Sequence, residues 1–151
     1  MATSTNIIRG KYPLPVYNYR VTIDNEPHGF SEVSGLNIQY EAITYKHGLS
    51  WREGPVQMPG MSAEVKITLK RGLVRARSFL LQWLESARRH QVVKHDLTID
   101  LCDEQGTPVV SWKIINAFPL KLEAPSLNSD SNELAVESIE LLAAGIAMTF
   151  H

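Results

Sequence analysis

Hydrophobic and polar positions alternate along most of this chain, and the alternation predicts strands more often than helices. In residues 16–24, Tyr17, Tyr19, Val21 and Ile23 hold one parity and Asn18, Arg20 and Thr22 the other, the period of a strand with one dry face. Asp24, Asn25 and Pro27 supply turn chemistry, after which residues 28–36 read as a short returning strand that ends at Gly35. Residues 64–71 alternate cleanly, with Val65, Ile67 and Leu69 against Glu64, Lys66, Thr68 and Lys70. Residues 96–103 alternate through Leu97, Ile99 and Leu101, residues 103–106 form a turn, and residues 107–119 return as the other half of a hairpin. Residues 124–132 are a turn-rich loop.

Two segments break parity. In residues 36–46, Leu36, Ile38, Tyr40 and Ala42 share one face while Ile43 and Tyr45 fall on the other, which predicts either a β-bulge near Glu41 and Ala42 or a strand that passes from one neighbour to another. Residues 131–142 slip in the same way, with Leu134 and Val136 on one parity and Ile139 and Leu141 on the other. The segments 36–46 and 64–71 are expected to form a hairpin joined by a long irregular loop over residues 47–63. One amphipathic helix is predicted over residues 74–89, its stripe made of Ala76, Phe79, Leu80, Trp83, Leu84 and Ala87. Arg88, Arg89 and His90 suit its C-terminal dipole, whereas Arg75 and Arg77 near its start invite a partner. The sum is mainly β: a small antiparallel barrel or sandwich of two packed sheets with one flanking helix.

Composition narrows the class of function. A chain of 151 residues fits one domain, with residues 1–11 as a flexible N-terminal arm. Lys and Arg number 15 against 16 Asp and Glu, so the net charge of -1 favours neither nucleic acid nor an anionic membrane. The single cysteine, Cys102, excludes an intramolecular disulfide framework and suits synthesis in a reducing cytoplasm. No signal peptide is read at the start, and the apolar run 141–148 is far short of the roughly 20 residues of a membrane span.

Catalytic chemistry finds little support. Neither GFSEVSG nor GLSWREG matches G-x-S-x-G, so a small β-barrel hydrolase is the weaker alternative. His90, His95, Asp96, Cys102 and Asp103 lack the paired spacing of metal ligands, and Glu32, Glu41 and Glu53 read as surface carboxylates. The glycines form no phosphate cradle, and no cofactor is expected. The basic group Lys70, Arg71, Arg75, Arg77, Arg88 and Arg89 fits an acidic partner surface better than nucleic acid. Trp51, in a loop dense with Gly48, Gly54, Pro55, Pro59 and Gly60, reads as an interface anchor.

Taken in order, the segments YPLPVY (12–17), GFSEVSGL (29–36), ITYKHG (43–48), MPG (58–60), ITLKRG (67–72), DLTIDLCDEQGTPVVSWKIINAFP (96–119), APS (124–126) and SNELAVESIEL (131–141) resemble the inner tube proteins of contractile injection systems. That family comprises the tail-tube subunits of T4-like phages and of extracellular phage-tail-like toxin-delivery particles. The resemblance implies a structural, non-enzymatic subunit that closes into homohexameric rings. The rings stack into a hollow tube that is driven through a target envelope and can carry protein cargo. Implied partners are further copies of itself, tube paralogues, sheath, baseplate and spike, in a virion-like or extracellular particle. Under it, Asn37, Gln39, Glu41, Glu64, Lys66, Thr68 and Lys70 are expected to line the lumen. His47, Gly48, Trp51, Arg52, Met58, Pro59 and Gly60 are expected to form an inter-subunit stacking loop, and Arg75 and Arg77 to meet the sheath or the next ring. The arginine-rich helix and the long 47–60 loop depart from a bulk tube subunit and mark the alternative, a terminal tube or baseplate adaptor ring.

Overall fold

The computed structural model describes residues 15–73, 75, 79–88, 93–130 and 132–151. The arm 1–11, and with it Val74, Ala76, Arg77, Arg89 and His90, lies outside the described residues.

Among the described residues ten strands and two helices follow one another as β1 (Tyr19–Ile23), β2 (Glu26–His28), β3 (Glu32–Ser34), β4 (Tyr40–Tyr45), α1 (Ser50–Glu53), β5 (Val56–Ser62), β6 (Val65–Gly72), α2 (Phe79–Arg88), β7 (His95–Cys102), β8 (Pro108–Glu123), β9 (Val136–Ala143) and β10 (Gly145–Phe150). All pairings are antiparallel. The main path runs β2-β1-β7-β8-β9-β6-β3 with β10 also on β8, and β4 and β5 form a sheet of their own. The expected sandwich of two packed sheets is therefore present, with a second short helix and without closure into a barrel.

The strand β8 makes this architecture. Its first half pairs with β7 and β10 in one sheet, and its second half with β9 in the other. At the crossing, β7 advances from His95 to Leu97 while β8 runs from Ala117 to Ile114, so β8 carries the extra residue of a bulge. Asn116 sits there at φ 52°, a left-handed conformation that asparagine tolerates, and its N–H donates to Asp96 Oδ1 at 2.9 Å. A second bulge lies between Pro119 and Lys121. The sequence pattern stopped this strand at Pro119; it continues to Glu123 because a proline is tolerated at a bulge on a strand whose other edge is free.

The two sheets enclose Val21 and Ile23 of β1, Ile67 and Leu69 of β6, Leu97 and Ile99 of β7, Ile114 of β8, and Ile139 and Leu141 of β9, with Leu80 and Trp83 of α2 closing one end. The β1–β2 turn is the two-residue kind, Asp24 and Asn25 having φ of 50° and 65°, the handedness that matches strand twist. In the β7–β8 turn Asp103 Oδ1 accepts from the N–H groups of Gln105 at 3.0 Å and Thr107 at 2.8 Å.

Three expectations need correction. The segments 36–46 and 64–71 do not pair with each other: β6 lies between β3 and β9, and β4 pairs with β5. Most of the expected loop 47–63 is ordered structure, namely α1 and β5. Finally, β9 does not slip. It starts at Val136 and is regular, and the inward position that breaks the apolar pattern is taken by Glu137, a buried carboxylate paired to Arg71 Nε at 3.2 Å.

Two residues test this packing. Gly35 has φ +90°, and a Cβ on it would lie 2.2 Å from the Lys66 carbonyl oxygen, so Gly35→Ala must move β3 away from β6. We expect a loss of about 2 kcal/mol or more, read as a fall in Tm of roughly 4–8 °C. Glu137→Ala strands the Arg71 guanidinium and should cost about 3 kcal/mol, whereas Arg71→Met combined with Glu137→Leu should recover most of that in the same melting experiment.

Candidate functional site

Among the described residues the informative features are surfaces. The first is the β4–β5 ribbon. None of its residues is buried. Cross-strand pairs Ile43–Met58 and Tyr45–Val56 place four large apolar side chains on one face, while Ala42–Pro59 and Thr44–Gln57 make the other face small or polar. The parity slip read near Ala42 has its cause here. Between the pairs Tyr40–Ser62 and Ala42–Pro59, β5 spends one residue more than β4, so the bulge is where it was expected but its extra residue is on the partner strand. Gly60 makes room for it. A Cβ at Gly60 would lie 2.7 Å from Ile43 Cγ1 and 2.9 Å from the Glu41 carbonyl oxygen.

The ribbon's tip is knitted by its own groups. The His47 N–H donates to Ser50 Oγ at 2.7 Å, and His47 Nδ1 accepts from the Leu49 N–H at 3.1 Å, which leaves Nε2 facing Glu53 Oε2 at 3.7 Å. This holds α1 with Trp51 turned outward and 82% exposed, beside an exposed Arg52. The structure thus places His47, Gly48, Trp51 and Arg52 at the tip and Met58, Pro59 and Gly60 on β5.

The second surface is the outer face of the β3-β6-β9 sheet with the far half of β8. Lys66, Thr68 and Lys70 of β6 stand beside Ser138 and Glu140 of β9, with Glu32 on one flank and Lys121 and Glu123 on the other. Lys70 Nζ is 3.3 Å from Glu32 Oε2, and Lys121 Nζ is 3.5 Å from Glu123 Oε1. Exposed pairs like these contribute little stability, but they leave a hydrated face with both signs of charge interspersed. Glu64 is exposed just before β6. Asn37 and Gln39 lie in the extended stretch before β4, and Glu41 lies on β4 itself, so these three are not on the β6 face.

Two clusters escaped the sequence reading. On the outer face of the β1-β7-β8-β10 sheet, Arg20 Nη2 is 3.4 Å from Asp100 Oδ2, Ser111 Oγ donates to Asp100 Oδ1 at 2.5 Å, and His151 Nε2 is 2.7 Å from Ser111 Oγ. Register explains the line, since Arg20, Asp100 and Ser111 face one another across three strands. A Ser, a His and an Asp meet here, but the carboxylate takes the serine proton and does not orient the imidazole, which is not the geometry of an activated nucleophile. Beneath α2, His28 stacks on Phe79 at 5.1 Å, Trp83 meets His95 edge-on at 5.0 Å, and His95 Nδ1 pairs with Asp24 Oδ2. Trp83 Nε1 donates to the Val93 carbonyl at 2.7 Å, so this cluster seats the helix. Each of these histidines and carboxylates sits in a pattern that looks unremarkable in sequence, and only strand register brings them together.

Among the described residues no three His, Cys, Asp or Glu side chains are grouped to hold a metal ion, and no helix is long and apolar enough to cross a membrane. Cys102 is buried. Arg75 is exposed before α2, while Arg77 lies outside the described residues. Burial, and secondarily the Glu32 carboxylate, raises the Tyr19 phenol above its usual pKa, and its hydroxyl donates to the Phe30 carbonyl at 2.6 Å.

No curated protein matches the chain by sequence. A chain from the sheath–tube complex of an extracellular contractile injection system, PVC, in its extended state, is 37% identical, with 97% of this chain and 98% of that chain covered and a TM-score of 0.88. A chain from the tube-terminating cap of the anti-feeding prophage is 35% identical over 93% of each chain, with a TM-score of 0.86. A chain from the PVC sheath/tube terminator is 38% identical over 92% of this chain and 98% of that chain, with a TM-score of 0.84. The family model of the T4-like virus tail tube protein gp19 matches residues 15–147, and the chain belongs to that tail tube family.

Proposed function

We propose that this chain is the inner-tube subunit of an extracellular contractile injection particle, in which copies close into hexameric rings and the rings stack into a hollow tube. The observation that carries this is the β4–β5 ribbon, a two-stranded sheet with no buried residue and one face lined by Ile43, Tyr45, Val56 and Met58. A lone ribbon of two strands is marginal in water, and an apolar face of this kind is stable only against a partner. Family membership supplies the partner class, because a tail tube is built of repeated subunits. The ribbon and its tip, with Trp51 and Arg52, are then the joint between subunits.

The lumen is assigned to the mixed-charge face that carries Lys66, Thr68 and Lys70, with Glu64 just before β6 and with Asn37, Gln39 and Glu41 of the segment that leads into and begins the ribbon. Interspersed charges keep a bore hydrated and weakly adhesive toward protein cargo. Arg75 and Arg77 are assigned to the sheath or the adjoining ring, where an acidic surface would meet them. The function is geometric and requires no catalytic group or cofactor.

A terminal cap or adaptor ring is the second reading, favoured by the near equality of the matches to the cap and terminator chains, 35% and 38% identity, with the 37% match to the sheath–tube chain. Negative-stain microscopy separates the two, since a tube subunit at high concentration gives tubes of varied length and a terminal subunit gives single rings. A persistent monomer would defeat both readings. Deleting residues 50–56 should leave Tm nearly unchanged yet shorten or abolish tubes, and unaltered tube length would remove the ribbon tip from the joint. Lys66→Glu should change cargo retention without loss of rings, whereas ring loss would place Lys66 at an interface.

A further inference from the structure

Among the described residues the ribbon's apolar face has no acceptor, and they carry a second exposed apolar surface of matching kind. On β10, Met148 pairs with Trp112 and Phe150 with Val110, so both follow the inward parity of their sheet. Yet Met148 is 41% and Phe150 71% exposed on this edge strand. Beside them the mouth of the sandwich opens into a cleft of about 320 Å³, lined by apolar residues that include Tyr19, Val33, Leu36, Leu101 and Trp112 and also by Ser31 and Glu32. Trp112 belongs to both, so the exposed edge of β10 and the cleft adjoin at that side chain.

We propose that the Ile43–Met58 face of the ribbon of one copy seats on the Trp112–Met148–Phe150 surface of a second copy. This rests on the tube reading and deepens it by naming the two halves of the contact. The dimensions agree: β4 and β10 each have six residues, and each spans about 20 Å of strand. The chemistry agrees as well, with Ile43, Tyr45, Val56 and Met58 meeting Trp112, Met148 and Phe150 and no charged side chain among them. Donor and acceptor are different patches of one chain, so the contact is heterologous and passes from copy to copy. Such a contact closes into a ring or runs on as a helix, and cannot end in a twofold dimer.

Two doubly substituted chains test this. The donor-dead chain carries Tyr45→Asp and Met58→Asp, and the acceptor-dead chain carries Met148→Asp and Phe150→Asp. All four positions are exposed, and melting curves check that each variant is folded. By light scattering after size exclusion, each variant alone should be a monomer, and an equimolar mixture should form a one-to-one dimer that goes no further. If the ribbon faces instead pair with each other across a twofold axis, the acceptor-dead chain dimerises alone and mixing adds nothing, which overturns the proposal. Rings that persist in either variant also overturn it. A monomeric unsubstituted chain is a separate outcome and removes the tube reading itself.

Discussion

A strand that belongs to two sheets cannot be straight, and the bend in β8 is the constraint on which this fold depends. Asn116, in the left-handed region and tied to Asp96, adds the residue that turns β8 away from β7. The partner strand follows, because β9 and β10 track β8 in one register from Leu142 opposite Phe118 to Gly145 opposite Ile115, broken only around Ala144. One bent pair of strands thus forms the hinge edge of a sandwich. The apolar residues of β1 and β7 close over those of β6 and β9 only because that hinge sets their spacing. The opposite edge, where β2 and β3 end the path without pairing, stays open. The open side and the unpaired edge of β10 follow from the same bend, so these exposed surfaces are consequences of how the core is made.

The outer faces of the two sheets differ in what they can do. The β6 face presents Lys66, Thr68, Lys70 and Glu140 as separate, hydrated groups. On the β7 face, Arg20, Asp100, Ser111 and His151 are bonded into a line that crosses from β1 to the residue following β10, with Asp100 and Ser111 buried. Satisfied polar groups at this burial stiffen the strands they join, because an opened partner would leave a desolvated carboxylate. The line therefore fixes the edge strand β10 against its neighbours. Under the contact proposed above, an edge strand that receives another copy benefits from being held in one place.

The sequence made the periodic elements legible, along with one irregularity. Alternation identified β1, β6 and β7 because each has a single dry face, and the parity slip near Ala42 located the bulge in the ribbon. It could not show which strand held the extra residue, because both strands of the ribbon are exposed and neither parity is anchored by a core. Pairing was misread for a related reason. Residues 36–46 and 64–71 both look like half-buried strands, but no buried face on the first dictates a register, and β5 lies closer in sequence. Glu137 was invisible as a core residue, since a carboxylate at an inward position makes sense only once Arg71 is known to lie opposite. The family resemblance found the right class of protein from ordered segments, while the line through Asp100 and the cluster under α2 needed the register to appear.

An exposed apolar ribbon is a liability in a free subunit, and its details limit that liability to one geometry. Unpaired strand edges and apolar faces invite indiscriminate association. In this ribbon the back face, Ala42, Thr44, Gln57 and Pro59, offers little apolar area, and Pro59 withholds a backbone donor from β5. The bulge at Gly60 and Met61 interrupts the ladder where the ribbon leaves the body, so a foreign strand cannot extend along it in register. What remains adhesive is one face of defined length with a tryptophan at its tip. A surface restricted in this way can meet its complement in a single direction along the chain of subunits. Polarity of that kind is what the proposed contact requires if every subunit is to repeat the orientation of the subunit before it.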